Sequence, residues 1–143
     1  MFLGEYNHTI DEKGRLAIPV KFRSALTAGA VVTRGIDRCL SLYTKDEWEK
    51  KAQQFAALPT AQKNSRAFAR LMLAGAMDVE LDRQGRVVIP DYLRSYAGTK
   101  RKVVVAGLYN RMEIWDAAMW AKDKLNAEKG SDAIAEQLGA LGV

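Results

Sequence analysis

Two short blocks of this sequence carry residues whose types and spacing could do chemistry. Asp11-Glu12-Lys13-Gly14-Arg15-Leu16-Ala17-Ile18-Pro19 recurs 71 positions later as Asp82-Arg83-Gln84-Gly85-Arg86-Val87-Val88-Ile89-Pro90. Asp, Gly, Arg, Ile and Pro are shared. An arginine can make a bidentate contact to guanine O6 and N7, or grip a phosphate. A two-stranded β-ribbon fits the major groove of duplex DNA. Arg15 and Arg86, each directly after a turn glycine, are therefore candidates for contact with DNA. Lys13 and Arg83, inside the turns, are placed to touch the sugar–phosphate backbone. Arg23 and Arg94, on the short helices that follow, are candidates for further phosphate contacts. A second reading of Arg15 and Arg86 is structural. Each would bridge to Asp11 or Asp82 across its own hairpin, and duplicating the turn would duplicate the bridge. The two readings are compatible, and both stay open, as does the choice between base and phosphate.

Catalytic chemistry finds little to use. The chain has one histidine, His8, and one cysteine, Cys39. A metal site normally draws three or four such ligands together, so no metal is expected. His8 has no nucleophile near it in sequence, and Cys39, beside Leu40, reads as a buried and inert thiol. The 11 glycines are scattered and form no phosphate-cradling loop. Asp11 and Asp82 could be imagined as a carboxylate pair. Their place at the first position of tight turns explains them better, because an aspartate there binds the backbone two residues on. The reading is a non-enzyme with no cofactor and no small-molecule substrate.

The elements that must position the arginines follow from the same blocks. Asp at the first and Gly at the fourth position favour a type I turn, and Gly14 or Gly85 in the left-handed region makes a bulged hairpin. Pro19 and Pro90 suit the first turn of a helix, so a short helix through Val20, Phe22, Arg23 and Leu26 is expected. Strands follow at Val31–Thr33 and Leu40–Tyr43, then a capping box at Thr44–Glu47 that opens a helix with Trp48, Ala52 and Phe55 on one face. The second copy repeats this with strands Val103–Ala106 and Met112–Trp115 and a helix capped by Asp116. Tyr43 and Trp48 match Trp115 and Trp120 at an offset of 72, as Gly35 matches Gly107. One slipped residue accounts for the change of offset.

The expected organisation is a first repeat at 1–58, a linking helix at 59–75, a second repeat at 76–128, and a tail at 129–143 that is a frayed helix or disordered. The linking helix carries an apolar face of Phe68, Leu71 and Met72. Its basic stripe of Lys63, Arg66 and Arg70 reads as solvated surface. One repeat without its helix buries too little apolar area to be stable alone. The expected fold is α+β: two β-hairpin repeats joined about a pseudo-twofold axis into one β-barrel core, with helices outside.

Charge supports a polyanionic partner. The net charge is +5, and its distribution is more telling than its sum. Lys13 to Arg38 holds six basic residues against one acid, and Arg83 to Arg111 holds seven against one. A hydrophobic fraction of 48% and a charged fraction of 27% are ordinary for a globular chain and speak against disorder. No basic-then-apolar leader opens the sequence, and no apolar run approaches the roughly 18 residues of a membrane span. A single cysteine excludes an internal disulfide. The expectation is a cytoplasmic protein with no membrane contact.

The doubled Asp-x-x-Gly-Arg block with its apolar strand, Ile and Pro resembles the AbrB-like, or swapped-hairpin, DNA-binding motif. Two copies in a chain of this length, with MFLGEY at the start and the Leu42-Tyr43…Trp48 and Glu113-Ile114-Trp115…Trp120 patterns, resemble the MraZ family of transcriptional regulators up to about Glu128. That resemblance implies a nucleoid-associated bacterial regulator of the division and cell-wall gene cluster. It further implies ring-shaped homo-oligomers that bind short tandem direct repeats of double-stranded DNA upstream of their own operon. The family's motif arginines fall on Arg15 and Arg86. A homo-oligomer also fits the unequal halves of the chain: the whole net charge lies in residues 1–71, and unequal faces favour head-to-tail contacts. Readings from other classes are a ring-forming scaffold whose basic patches meet acidic partners, and an RNA-binding module. Against RNA, no surface aromatic cluster stands out for base stacking. The operator, the subunit number and the choice between repression and activation are not readable.

Overall fold

The computed structural model describes all residues from Met1 to Val143. Its strands, in chain order, are β1 (Phe2–Thr9), β2 (Arg15–Ala17), β3 (Ala30–Arg34), β4 (Leu40–Thr44), β5 (Met77–Val79), β6 (Arg86–Val88), β7 (Lys102–Tyr109) and β8 (Met112–Asp116). The helices are α1 (Lys45–Ala56), α2 (Lys63–Ala69), α3 (Asp91–Ala97), α4 (Ala117–Lys129) and α5 (Ser131–Leu138). A 3-10 helix spans Val20–Leu26, and α2 runs on into a π turn, Arg70–Ala74. Local chemistry sets the helix starts: the Thr44 hydroxyl accepts from Glu47 N–H at 3.2 Å, and Asp116 accepts from Met119 N–H at 3.4 Å, each satisfying an orphan donor of the first turn.

Six strands form one antiparallel sheet in the order β1-β7-β8-β4-β3-β5, and β2 pairs with β6 as a separate ribbon. The order reads as its own mirror when each strand is exchanged for its counterpart in the other repeat. β1 of the first repeat lies on β7 of the second, Phe2 opposite Tyr109 through Thr9 opposite Lys102. β5 of the second repeat lies on β3 of the first. The pseudo-twofold axis passes near the Ser41–Glu113 pair of β4 and β8 and near the Leu16–Val87 pair of the ribbon.

This exchange corrects the expected closed hairpin. The turns form, but Arg15–Ala17 does not return along its own preceding strand. Ile10 opposite Leu16 is a single bridge, and the rest of the return strand pairs with its counterpart. A bulge glycine raises the local twist and turns the chain away. Leu16 and Val87 then point inward, with 0% and 1% of their surface exposed, which neither could reach within a lone repeat.

The expected closed barrel is also corrected. The sheet is open, with β1 and β5 as its edges. One face of it, through Val32, Leu40, Leu42, Val103, Val105, Met112 and Ile114, packs in a single core with Leu16 and Val87 of the ribbon, Phe22 and Leu26 of the 3-10 helix, and Leu93 and Ala97 of α3. Short helices thus close the core where further strands would be needed for a barrel. The opposite face carries the outer helices: Tyr43 meets Trp48 of α1 at 5.7 Å between ring centroids, and Trp115 meets Trp120 of α4 at 5.6 Å. The tail, expected to be a frayed helix or disordered, forms the helix α5 and a short 3-10 turn, exposed from Ser131 onward.

Candidate nucleic-acid interface

Each turn is built around one aspartate. Asp11 Oδ1 accepts the N–H groups of Lys13 and Arg15, both at 2.9 Å, while its Oδ2 accepts Arg15 Nε at 2.5 Å. Asp82 repeats this with the N–H groups of Gln84 and Arg86 at 2.9 Å and with Arg86 Nε at 2.8 Å. Gly14 and Gly85 close the turns with N–H bonds of 3.0 Å to the carbonyls of Asp11 and Asp82. Their φ angles, +81° and +75°, are ones that only glycine adopts readily. The backbone N–H of Arg15, with the guanidinium beside it, holds the Asp11 carboxyl below its ordinary range, and Arg86 does the same for Asp82.

Both structural bridges expected from the sequence are therefore present, and they leave work for the arginines. Only Nε is bound to aspartate. The two Nη nitrogens of Arg15 and of Arg86 have no protein partner, so each fork is aimed by its aspartate and open at its outer end. That outer edge is the one that makes paired contacts to guanine or phosphate.

The ribbon brings the two forks together. Arg15 pairs with Val88 and Ala17 with Arg86, so the arginines are diagonal neighbours, about 7–8 Å apart at this kind of position. Leu16 and Val87 occupy the inner face, which leaves Arg15, Ala17, Arg86 and Val88 on the outer one; Val88 is 54% exposed. The turns lie at opposite ends of the ribbon. Lys13 and Arg83 are exposed there and make no ion pair.

Arg23 and Arg94 sit beneath the turns, half-buried. Arg23 Nε donates to Ile18 O at 2.8 Å and Arg94 Nε to Ile89 O at 3.0 Å. Each packs against the turn glycine of the other repeat, Arg23 under Gly85 and Arg94 under Gly14. Arg94 also pairs with Asp91 at 2.6 Å. Their main visible role is to support the turns.

Sequence reasoning missed two residues at this surface. Lys100 and Arg101, in the loop before β7, line a cleft of about 640 Å³ together with Lys13, Arg15 and Arg94. The basic run Lys100-Arg101-Lys102 is plain in the sequence, but its neighbour is the turn of the other repeat, and only the strand exchange reveals that. Cys39 is 1% exposed, and burial pushes its thiol up to about 12, in keeping with an inert side chain. Burial and the nearby Arg23 charge lower His8.

The chain matches a family described as "MraZ protein, putative antitoxin-like" twice, over residues 1–71 and again over 72–139. The chain belongs to the MraZ family. The two matches meet between residues 71 and 72, inside the segment 59–75. Curated relatives named transcriptional regulator MraZ include those of Herpetosiphon aurantiacus, 48% identical, and Syntrophomonas wolfei, 44% identical, each covering 100% of both chains. The relative of the same name from Thermomicrobium roseum is 46% identical over 99% of both chains. No helix of this MraZ-family chain is long and apolar enough to cross a membrane.

Proposed function

We propose that the protein is a transcription regulator that binds duplex DNA sequence-specifically through the β2–β6 ribbon. The observation that carries this reading is the pair of guanidinium forks, Arg15 and Arg86, each fastened at Nε and unpaired at Nη on one partly exposed ribbon face. A ribbon of that width suits the major groove. Lys13 and Arg83 at its two ends would neutralise phosphates, which position the protein without reading sequence. The relatives' printed name, transcriptional regulator, points the same way. Following the family resemblance, its target would be a promoter with short tandem direct repeats ahead of the division and cell-wall genes. A ring of subunits, nucleoid-associated, would engage several repeats at once. Ring contacts would multiply a modest contact per subunit by effective concentration. Light scattering at micromolar concentration tests that assembly, and a monomer would end it.

The test of the function itself uses Arg15→Ala and Arg86→Ala. Duplexes selected from a random library by the wild-type protein serve as probes. A bidentate guanine contact is worth about 1–3 kcal/mol, so either variant should lose most specific binding while melting temperature and assembly size stay close to wild type. Undiminished specific binding by a folded Arg15→Ala protein would refute the site. Loss of binding only in step with loss of folding would leave the arginines a purely structural role.

A further inference from the structure

The two repeats are not equal at their turns, and the inequality is a basic insertion. His8 pairs with Val103 and Val79 pairs with Ala30. His8 and Val79 are counterparts, 71 positions apart, so Val103 corresponds to Ala30. The preceding short helices end at the counterparts Leu26 and Ala97. Between helix and strand, the first repeat therefore has Thr27-Ala28-Gly29. The second has Gly98-Thr99-Lys100-Arg101-Lys102. The second connection is longer and carries three positive charges where the first has none.

Strand exchange then delivers each connection to the opposite turn. Ile10 N–H donates to Arg101 O at 2.8 Å, which places the basic loop beside the Asp11–Arg15 turn. Its backbone is fastened elsewhere as well: Thr99 N–H to Arg94 O at 3.2 Å and Lys100 N–H to the buried Asp116 at 3.1 Å. The side chains of Lys100 and Arg101 are exposed, make no ion pair, and share the cleft with Lys13 and Arg15. At the other turn the Thr27–Gly29 connection, which carries no charge of its own, takes this place; an added Cβ at Gly29 would lie 3.3 Å from Val79 O, and the only cation against it is Lys45 of α1.

We propose that Lys100 and Arg101 are phosphate-binding residues serving only the first turn, so that each subunit sits on DNA with a fixed polarity. This inference rests on the ribbon being the DNA-binding face. A reader with two equal ends would accept a site in either direction. The Lys100–Arg101 loop gives the Arg15 end two cations where the Arg86 end has Lys45 alone, and one direction is then preferred.

Three measurements decide it. Each phosphate contact adds about 0.9 to the slope of log affinity against log salt. Lys100→Gln/Arg101→Gln should therefore flatten the slope by about two units and weaken specific and random duplexes alike. Lys63→Gln/Arg70→Gln, on the outer helix, removes the same charge and should leave the slope as it was. An unchanged slope in the first variant, or an equal loss in the second, overturns the proposal. Polarity is read with an iron–EDTA cleavage reagent tethered at Gln84→Cys, the buried Cys39 staying unlabelled. Cutting on one side of the specific site is expected, and equal cutting on both sides overturns the fixed direction. Arg15→Ala in the same assay separates the two claims. If it abolishes specific binding while the Lys100/Arg101 variant keeps its slope, only this inference fails; if it changes nothing, the ribbon is not the reading face.

Discussion

The carbonyl of Gly14 accepts a hydrogen bond from the N–H of Ile89 at 2.7 Å, and its mirror, from Ile18 N–H to Gly85 O, measures 2.9 Å. Each turn is thus pinned by the other repeat at the residue before its arginine. Gly14→Val and Gly85→Val both force a branched side chain into positive φ, a strain of about 1–3 kcal/mol. They differ in what the new side chain meets. At Gly14 a Cβ strikes the backbone oxygen of Ile89, which cannot move without breaking the ribbon. At Gly85 it strikes the Arg23 side chain, which can swing aside at the cost of its hydrogen bond to Ile18 O. Gly14→Val should be the more destabilising in urea denaturation, and a wild-type midpoint for either would contradict the left-handed turn.

Acid should loosen the turns first. Asp11 and Asp82 are held below their ordinary value of 3.8. A carboxyl depressed in the folded state contributes stability above its unfolded value and loses it as pH falls through the folded value. Melting temperature should hold steady above about pH 5 with respect to these groups and drop below about pH 4. The double variant Asp11→Asn/Asp82→Asn should start lower at neutral pH and show a shallower acid decline. Parallel curves for the variant and wild type would show that the two carboxyls do not matter.

Neither repeat should fold by itself. β1 finds its partner in β7, β5 in β3, and β2 in β6, so residues 1–71 alone expose the edges and inner faces that residues 72–143 cover. Circular dichroism should show each fragment largely unfolded and an equimolar mixture regaining strand signal. A cooperative melt from either fragment alone would contradict the exchanged pairing.

Much of this was legible in the chain. Asp11, Gly14, Pro19 and their copies announced the turns through local rules, and Thr44 and Asp116 announced the helix starts. Exchange was not legible from local pattern, because Leu16 and Val87 read equally well as the inner face of a closed hairpin. Repeat alignment also hid a detail. Gly35 and Gly107 match in sequence, but Arg34 pairs with Leu40 while Gly107 pairs with Met112. The true counterpart of Gly107 is Arg34, because two residues enter before β7 and one leaves before β8. The glycine match conceals the longer loop that carries Lys100 and Arg101.

Arg23 offers the sharpest check on how the site is assembled. It belongs to the first repeat, yet it packs under Gly85 and binds the carbonyl of Ile18, whose own N–H holds the second turn. Arg23→Ala leaves the carbonyl of the buried Ile18 without its side-chain partner, a cost of about 1–3 kcal/mol. Its effect on DNA should appear at the distant turn in sequence terms: with Arg86, not with Arg15. Residues that share a turn couple, and independent ones add within about 0.5 kcal/mol. In double-mutant cycles of binding, Arg23→Ala with Arg86→Ala should be strongly non-additive, while Arg23→Ala with Arg15→Ala should be close to additive. The reverse pattern would mean that Arg23 serves its own repeat, and the crossed support of the turns would fail with it.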